Sequence, residues 1–272
     1  MIMTGIQIRD FQDMVWSYYA QHARTDLPWR QPEVNGRFNP YKILVSELML
    51  QQTQVARVMP KYHAFVSKFP TVEALAGVEL AAVLQMWQGL GYNRRAKYLW
   101  QSAQVISQLQ HFPDSLAELV QLPGVGKNTA GAILAYAYNQ PTVFIETNIR
   151  TIMIYHFFAD AENVADSSIA DCVTQTLDHE NPREYYWALM DYGSYLKAIH
   201  GNASWRSKHF VKQTAFTGSK RQIRGAVIRA LTNGPQTFTE LSESITDDRL
   251  LAVLADLIAE SLIQESDNLY HL

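Results

Sequence analysis

Cysteine is almost absent from the sequence, with Cys172 the single example among 272 residues. One thiol excludes an internal disulfide and any metal cluster that needs several cysteine ligands. Long apolar runs are missing too, because polar residues interrupt every stretch of about 18 residues, the length that a membrane-spanning helix needs. The N-terminal segment carries acids where a signal peptide would have a basic patch and an unbroken apolar run. We therefore expect a cytoplasmic protein that does not bind a membrane.

Charges of one sign are missing from each of two neighbouring segments, although the net charge of the chain is only −3. Residues 194–229 contain eight bases and no acid, whereas residues 237–272 contain eight acids and one base, Arg249. A polyanion would bind the first segment and avoid the second. A solvated surface, the alternative interpretation, normally mixes charges of both signs. The segment 194–229 therefore predicts a nucleic acid as the partner.

Helical periodicity dominates the chain, and strand patterns are few and short. In the stretch NPYKILVSELMLQQTQVARVM, Asn39 is placed to cap a helix and Pro40 occupies its first position. Glu47 falls on the apolar face of this helix, where burial favours the protonated form of a carboxyl group. Glu47 is thus a candidate proton donor, and the alternative is a core glutamate bonded to a neighbouring donor.

A glycine-rich turn joins two predicted helices in the stretch DSLAELVQLPGVGKNTAGAILAYAY. Ser115 and Glu118 have the spacing of a capping box for the first helix, and the second helix starts near Lys127. Backbone N–H groups at such a turn can bind a phosphate of a nucleic-acid backbone without reading the bases. A P-loop is excluded because Asn128 stands in place of the required Ser or Thr. A purely structural hairpin remains the alternative.

An acid ends an apolar run in the stretch VFIETNIRT, where Glu146 precedes a predicted helix. An ordinary helix-start acid, stabilised by the positive end of the helix dipole, would account for it. A functional role for Glu146 therefore needs support from the rest of the chain.

Several motifs occur together in the order and spacing of one enzyme family, namely LPWR at 27–30, NPYKILVSELMLQQTQVARVMPKY, WQGLGYNRRAKYL, LPGVGKNTAGAIL and IETNIRTI. Over residues 27–193 they resemble the helix-hairpin-helix DNA glycosylases of the HhH-GPD superfamily, and most of all the adenine DNA glycosylase branch. The resemblance implies an all-α fold of two domains with DNA across the cleft. It places a six-helix barrel with the hairpin at residues 35–145, and a second domain at residues 1–34 and 146–216.

The resemblance also implies roles for particular residues. Glu146 matches the essential acid of the family, and Glu47 matches the acid that protonates the departing base in the adenine branch. One protonated and one ionised carboxyl group suit a reaction in which a base leaves as an oxocarbenium-like sugar forms. The implied base pocket consists of Arg30, Trp187, Asn148 and Asn128. The implied DNA-binding residues are Gln51, Gln52, Thr53, Leu90, Tyr92, Gly124, Val125, Gly126, Lys127, Thr129, Arg206, Lys208 and Lys212.

The sequence departs from the family pattern at the essential acid and at the position that reads adenine. Glu146 stands where the family usually has Asp, which moves the carboxylate by about 1 Å, and misplacement on that scale can cost on the order of 100-fold in rate. Trp187 replaces the Gln or Glu that reads adenine, and it offers a single hydrogen-bond donor. Activity and base preference therefore need separate tests.

The sequence also departs from the family in its cofactor and its C-terminus. The four cysteines of the family's iron–sulfur cluster are missing, so we expect no cluster. The resemblance still allows an alkali ion, Na⁺ or K⁺, on backbone carbonyls of Leu122 and Val125. In place of the usual lesion-recognition domain, residues 217–272 look like a small winged-helix-like domain with a hairpin turn at Asp267 and Asn268. Its partner cannot be named from the sequence.

These expectations favour a monofunctional DNA glycosylase of base excision repair that flips and excises a mispaired base, with adenine or a related purine as the expected base. The alternatives are a mismatch thymine or uracil glycosylase, and a non-catalytic DNA-binding protein on a glycosylase fold. No lyase step is expected, because Asn128 stands where bifunctional relatives carry a lysine nucleophile. The expected partner is double-stranded DNA with a mispair or lesion, bound by a monomer associated with the nucleoid.

Overall fold

The structure, a computed structural model, describes residues 2–272. In that range the regular elements are fourteen α-helices, one two-stranded hairpin and short 3₁₀ turns at Pro28–Arg30 and Ala203–Arg206. The helices are α1 (Gly5–His22), α2 (Pro40–Leu50), α3 (Val55–Lys68), α4 (Val72–Ala76), α5 (Leu80–Trp87), α6 (Arg94–Ile106), α7 (Leu116–Leu119), α8 (Lys127–Tyr138), α9 (Thr147–Phe157), α10 (Asp166–Thr176), α11 (Pro182–His200), α12 (Lys220–Leu231), α13 (Phe238–Ser244) and α14 (Leu250–Ala259). The hairpin strands are β1 (Gln264–Ser266) and β2 (Leu269–His271). The predicted all-α class is confirmed.

The chain divides into two compact units. The first comprises residues 2–43, 114–121 and 125–212, and the second comprises residues 44–113, 122–124 and 213–272. The domain limits predicted from the sequence, near residues 35, 146 and 217, group α8 with α3–α6 and set the C-terminal region apart. The two divisions differ at α7, at α8 and at the C-terminal region, since α7 and α8 belong to the first unit and the C-terminal region shares the second unit with α3–α6.

The core of the first unit forms around α11, which packs against α1, α8 and α9. This helix begins with Pro182 at its first position and Glu184 in its first turn, and both are favourable at a helix N-terminus. Tyr185, one turn into the helix, is fully buried. Gly193 allows a close approach of α9, because a Cβ at that position would lie 2.6 Å from the carbonyl oxygen of Asn148. The first turn of α9 is thereby held against α11.

The core of the second unit includes α3, α4, α5 and α6, in which α6 packs against α4 and α5, and α5 packs against α3. Phe65 of α3 and Trp87 of α5 meet edge to face, with ring centroids 6.0 Å apart, a favourable geometry for aromatic pairs. Both side chains are fully buried. The loop that follows Trp87 therefore starts from a fixed point in the core.

The C-terminal region contains α12, α13 and α14, followed by the hairpin. Thr237 starts α13 in a capping box with Glu240. The strands pair so that Asp267 and Asn268 form the two-residue turn, with φ values of 52° and 60°. Positive φ at both positions is typical of a type I′ turn, so the predicted hairpin turn is confirmed. The winged-helix-like arrangement of this region stays a prediction.

Candidate active site

Helix α2 carries Glu47 on its buried face. The side-chain oxygen of Asn39 accepts hydrogen bonds from the backbone N–H groups of Tyr41 at 3.0 Å and Lys42 at 3.4 Å, so it caps the helix as predicted. Pro40 is the first helical residue. Glu47 is 9% exposed, which agrees with its place in the helical periodicity. Its role as a proton donor stays a prediction.

Glu146 occupies the cap position of α9, with an extended backbone at φ −99° and ψ 169°. Its side chain is half-buried. The apolar residues before it, 143–145, belong to no strand among the described residues and form an extended connection from α8 to α9. The start of a helix carries partial positive charge, so the acid lies where a carboxylate is stabilised.

Asn128, assigned to the base pocket by the resemblance, bonds to the backbone beside Glu146. Its side-chain amide donates to the carbonyl of Ile145 at 3.0 Å and accepts from the N–H of Ile145 at 3.2 Å. This pair of bonds ties the first turn of α8 to the residue before the acid. Asn128 therefore fixes the position of Glu146 in the structure, and a contact with the base stays a prediction.

Asn148 connects the first turn of α9 to α11. Its amide donates to the carbonyl of Met190 at 3.1 Å, and its oxygen accepts from the ammonium group of Lys197 at 3.3 Å. Burial lowers the pKa of Lys197. In the sequence this lysine is one base of the segment 194–229, and in the structure it lies near the start of α9.

Arg30 is held by a buried carboxylate that sequence reasoning missed. Its two terminal nitrogens donate to Asp191, each at 2.8 Å. Arg24 adds a backbone bond at 2.9 Å and a guanidinium bond at 2.6 Å to the same carboxylate. Burial alone would raise the pKa of Asp191, but the hydrogen bonds and charges of the two arginines hold it below its ordinary value. Asp191 is therefore an ionised anchor for Arg30.

Trp187 packs among side chains of the first unit and is 7% exposed. Its ring is nearly parallel to that of Tyr136, with centroids 6.1 Å apart, and Phe38 meets it edge to face at 5.4 Å. The guanidinium carbon of Arg30 lies 5.4 Å from the ring centroid. The ring is thus already engaged, and the stacking on a flipped base that the resemblance implies stays a prediction.

The turn Gln51–Thr53 and the loop Leu90–Tyr92 both contain a residue with a left-handed backbone. The φ angle is 53° at Gln52 and 48° at Tyr92. For residues other than glycine this conformation costs roughly 1–2 kcal/mol. Gln52 is exposed and Tyr92 half-buried, whereas Leu90 is buried. The strained residues are therefore the ones whose side chains reach the surface.

Arg95, the second residue of α6, joins this turn and this loop. It is 6% exposed, and burial lowers its pKa to about 10, so it is charged at neutral pH. Its guanidinium donates at 2.6–3.1 Å to the hydroxyl of Thr53 and to five backbone carbonyls, those of Leu48, Met49, Gln51, Leu90 and Gly91. The end of α2 carries partial negative charge, which favours the buried cation.

Residues of the C-terminal region also contact the same two strained residues. The amide of Gln213 donates to the hydroxyl of Tyr92 and to the side-chain oxygen of Gln52. Arg221 donates to the Tyr92 hydroxyl at 2.7 Å and to the carbonyl of Thr214. Its guanidinium carbon lies 5.1 Å from the Tyr92 ring centroid. A cavity of about 600 Å³ borders this contact and is also lined by Lys220 and Arg224.

The acid-free and acid-rich segments neutralise each other in part. Lys220 forms an ion pair with Asp256, and Arg224 forms one with Glu260. Two of the eight bases in the segment 194–229 are therefore matched by one acid of α14 and by the acid that caps its C-terminus. The basic segment 194–229 and the acidic segment 237–272, which are separate in the sequence, therefore contact each other in the fold.

Of the three bases expected nearest the DNA, one is engaged within the first unit. Arg206 donates to the carbonyl of Phe158 at 3.0 Å and to that of Ala159, just after α9. Lys208 and Lys212 are exposed. The structure therefore leaves these two lysines as the better candidates for phosphate contacts.

The glycine-rich turn between α7 and α8 presents an exposed backbone. Gly124 has a φ of 75°, and a Cβ there would lie 2.6 Å from the Cβ of Tyr98, so only glycine fits. Gly124, Gly126 and Lys127 are exposed, while Val125 is buried and Thr129 half-buried. The hydroxyl of Ser102 donates to the carbonyl of Pro123 at 2.9 Å. The turn therefore exposes backbone at Gly124 and Gly126, and the binding of a phosphate by its N–H groups stays a prediction.

The residues present do not fit an iron–sulfur cluster. Cys172, the sole cysteine of the chain, is buried in α10. Burial raises the pKa of its thiol to about 11, so the thiolate that a metal requires is disfavoured. For an alkali ion, Leu122 and Val125 of the turn could supply only neutral backbone carbonyls, which are suitable ligands for such an ion.

Among residues 2–272, no helix has both the length and the apolar character needed to span a bilayer.

Residues 45–172 match a known protein family, described as the HhH-GPD superfamily base excision DNA repair protein. An adenine DNA glycosylase of Mycobacterium tuberculosis (strain CDC 1551 / Oshkosh) is 34% identical over 94% of this chain and 90% of its own length. An adenine DNA glycosylase of Buchnera aphidicola subsp. Baizongia pistaciae (strain Bp) is 34% identical over 68% of this chain. The chain spans 52% of the length of that Buchnera relative.

A solved structure of a thermostable thymine-DNA glycosylase is similar in fold, with a TM-score of 0.62. The similarity covers 72% of this chain and 90% of that chain, at 21% identity. At that identity the likeness concerns the fold alone.

Proposed function

Because the chain belongs to the HhH-GPD superfamily of base excision DNA repair proteins, we propose that it is a monofunctional DNA glycosylase that excises adenine or a related purine from a mispair. The observation that carries this proposal is the placement of two acids in different surroundings, Glu47 on the buried face of α2 and Glu146 at the start of α9. A protein that only binds DNA needs neither acid. The names of the relatives, adenine DNA glycosylases, support adenine as the base.

In the proposed reaction, the carboxyl group of Glu47 donates its proton to a ring nitrogen of the departing base. The N-glycosidic bond breaks with its electron pair on the base, and the sugar becomes an oxocarbenium-like cation. The carboxylate of Glu146 stabilises this charge until water adds to the sugar. The proton that the water releases returns to a carboxylate, so the reaction is a net hydrolysis.

The target base must leave the duplex before either acid can reach it. In the proposed complex, the exposed turn at Gln52 enters the duplex while Tyr92 lies along the strand that carries the target base. The turn around Gly124 and Gly126 holds a phosphate of the backbone. The left-handed backbones of Gln52 and Tyr92 support this assignment, because strained conformations concentrate at functional sites.

A lyase step is not part of the proposal. Asn128 occupies the position of the lysine nucleophile in bifunctional relatives, and its amide is bonded to the backbone of Ile145. Lys127 is the first residue of α8 and is exposed. The product is therefore an abasic site in an uncut strand.

Glu146 in place of the family's usual Asp favours one alternative, a DNA-binding protein on a glycosylase fold that has lost the chemistry. A mismatch thymine or uracil glycosylase is the alternative within the enzyme class. We further propose a monomer that acts on double-stranded DNA in the cytoplasm, near the nucleoid, without an iron–sulfur cluster and with Na⁺ or K⁺ as the ion that the glycine-rich turn would bind.

A panel of duplexes tests the proposed function. Each duplex carries one mispair or lesion, is incubated with the protein, and is then assayed for alkali-labile sites. Cleavage that requires alkali and appears only with a mispaired adenine or related purine supports the proposal. Cleavage at mispaired thymine or uracil would establish the alternative enzyme, and binding without cleavage of any duplex would establish the non-catalytic alternative.

A further inference from the structure

Gln52 and Tyr92 share an unusual backbone conformation and a common support. Their φ angles are 53° and 48°, in a region that side-chain-bearing residues seldom adopt. Such a conformation persists only where the surroundings over-determine it. The exposed side chain of Gln213 bonds to both side chains, whereas one buried side chain, that of Arg95, bonds to the backbone before each of them.

Arg95 holds the peptide group immediately before each strained residue. One terminal nitrogen donates to the carbonyl of Gln51 at 2.6 Å, and the other donates to the carbonyl of Gly91 at 3.0 Å. The orientation of a peptide plane sets the φ of the residue that follows it, so these bonds act directly on Gln52 and Tyr92. A planar guanidinium with five donors in fixed directions can hold two peptide planes in a defined orientation, whereas a lysine ammonium has three donors on a flexible stem and holds them less firmly.

Two further contacts support the loop and the turn, one each. The indole N–H of Trp87 donates to the carbonyl of Gly91 at 3.2 Å, and the hydroxyl of Thr53 receives a bond from Arg95 at 3.1 Å. Trp87 is fully buried. The turn and the loop are therefore anchored to the core of the second unit through one cation.

Burying the charged side chain of Arg95 costs more free energy than a purely structural support requires. Its Nε is buried without a hydrogen-bond partner among the described residues. Its charge is matched by carbonyl groups, five of which accept its hydrogen bonds. A buried polar group left unsatisfied in a native structure calls for an explanation, and the bonds of Arg95 to the two strained segments supply one.

We propose that Arg95 is a positioning residue for base extrusion, which presets Gln52 and Tyr92 in the shape that opens the duplex. The inference rests on the proposed function, because it assumes that this turn and this loop enter DNA. Without Arg95, the two residues relax toward ordinary backbone angles, and each encounter with DNA must restore the strained shape. The chemical step at the two acids is unaffected once the base is out.

The test separates extrusion from chemistry with two substrates. In the first substrate, the target base is mispaired and stacked in the duplex. In the second, the target base lies opposite an abasic site, so no opposite base pairs with it. Arg95→Met is expected to slow single-turnover excision about tenfold or more on the first substrate and less than about threefold on the second. Arg95→Lys is expected to fall between wild type and Arg95→Met on the mispaired substrate.

A matched control and a second readout complete the design. Arg94→Met removes the same charge from the neighbouring, exposed position of α6, where the guanidinium bonds to the Tyr98 hydroxyl. The ratio of its excision rates on the two substrates is expected to be nearly that of the wild type. 2-Aminopurine placed at the target position brightens when it leaves the stack, so it reports extrusion without any excision. Arg95→Met should reduce this signal at saturating protein.

Equal losses on both substrates, or no loss on either, would overturn the inference. If Arg95→Met does not fold, as judged by its thermal unfolding, the comparison is made with Arg95→Lys, and equal losses there have the same meaning. Failure of the wild-type protein to excise any base would refute the proposed function instead. In that case the 2-aminopurine signal decides whether Arg95 positions the inserting residues.

Discussion

Replacing Asp191 by Asn is expected to destabilise the first unit strongly. Asp191 accepts two hydrogen bonds from Arg30 at 2.8 Å and two more from Arg24. The side chains of Asp191 and Arg30 are 1% and 5% exposed. Asn has nearly the same shape, but it carries no charge and presents an NH₂ group where a guanidinium requires an acceptor. The substitution therefore leaves the cation of Arg30 buried without its counter-ion.

The size of the effect follows from the burial of the pair. Removing one partner of a buried ion pair costs about 3–5 kcal/mol, because the other charge remains buried. In a chain of this length each kcal/mol lowers the unfolding midpoint by about 2–4 °C, so Asp191→Asn should lower it by about 6–20 °C. Arg30 would also lose its fixed place beside Trp187.

The contribution of Asp191 to folding stability depends on pH in a definite direction. The pKa of Asp191 is lower in the folded protein than its ordinary value of 3.8. Its contribution to stability is therefore complete above that ordinary value and is lost as the pH falls through the lower folded pKa. Asp191→Asn should remove this part of the acid sensitivity.

Thermal unfolding followed by circular dichroism and calorimetry measures the effect. Asp166→Asn is the matched control, because Asp166 pairs with Arg150 at a site where the side chains are 35% and 16% exposed, and such pairs contribute about 0–1 kcal/mol. Replacing Arg30 by Met together with Asp191 by Leu should recover much of the loss, since no charge is left buried. A midpoint for Asp191→Asn no lower than that for Asp166→Asn would refute the reasoning.

Four further predictions concern DNA binding, stability and the reaction product. Lys208→Gln with Lys212→Gln should weaken binding to all duplexes and flatten the dependence of log K on log salt by up to about two units; an unchanged slope would show that both lysines face away from DNA. Arg206→Gln should lower the unfolding midpoint and leave the salt slope unchanged, because its guanidinium bonds to carbonyls after α9. Burial lowers the pKa of His156, so stability to urea should fall as the pH drops below about 6.5, and His156→Phe should remove that slope. Borohydride should trap no covalent DNA adduct, and an adduct that disappears in Lys127→Ala would reveal a lyase step.

Caps and turns could be predicted from the sequence because the residues that form them lie within a few positions of one another. Asn39 and Pro40 start α2 where their spacing indicated, and Asp267–Asn268 forms the hairpin turn. The burial of Glu47 follows from helical periodicity in the same way. These signals were sufficient to place both candidate acids on their helices.

Residues whose role depends on distant partners could not be singled out. Arg95 and Asp191 would by default be solvent-facing charges. Their partners Leu48 and Arg30 lie 47 and 161 positions away in the chain, so no local pattern indicates the contacts. The pairing of the basic segment with Asp256 and Glu260 could not be predicted for the same reason, because charge counts along the chain carry no information on which side chains meet.

Single-turnover excision by Glu146→Gln tests the central claim most directly. The substitution removes the negative charge at the start of α9 with little change in shape, so excision of the mispaired base should fall by about 100-fold or more, while the affinity for the duplex stays within about twofold. Glu146→Asp should also change the rate, downward if the site has adapted to the longer side chain and upward if it has not. Excision at the wild-type rate by both variants would contradict the account and leave Glu146 as an ordinary helix-start acid.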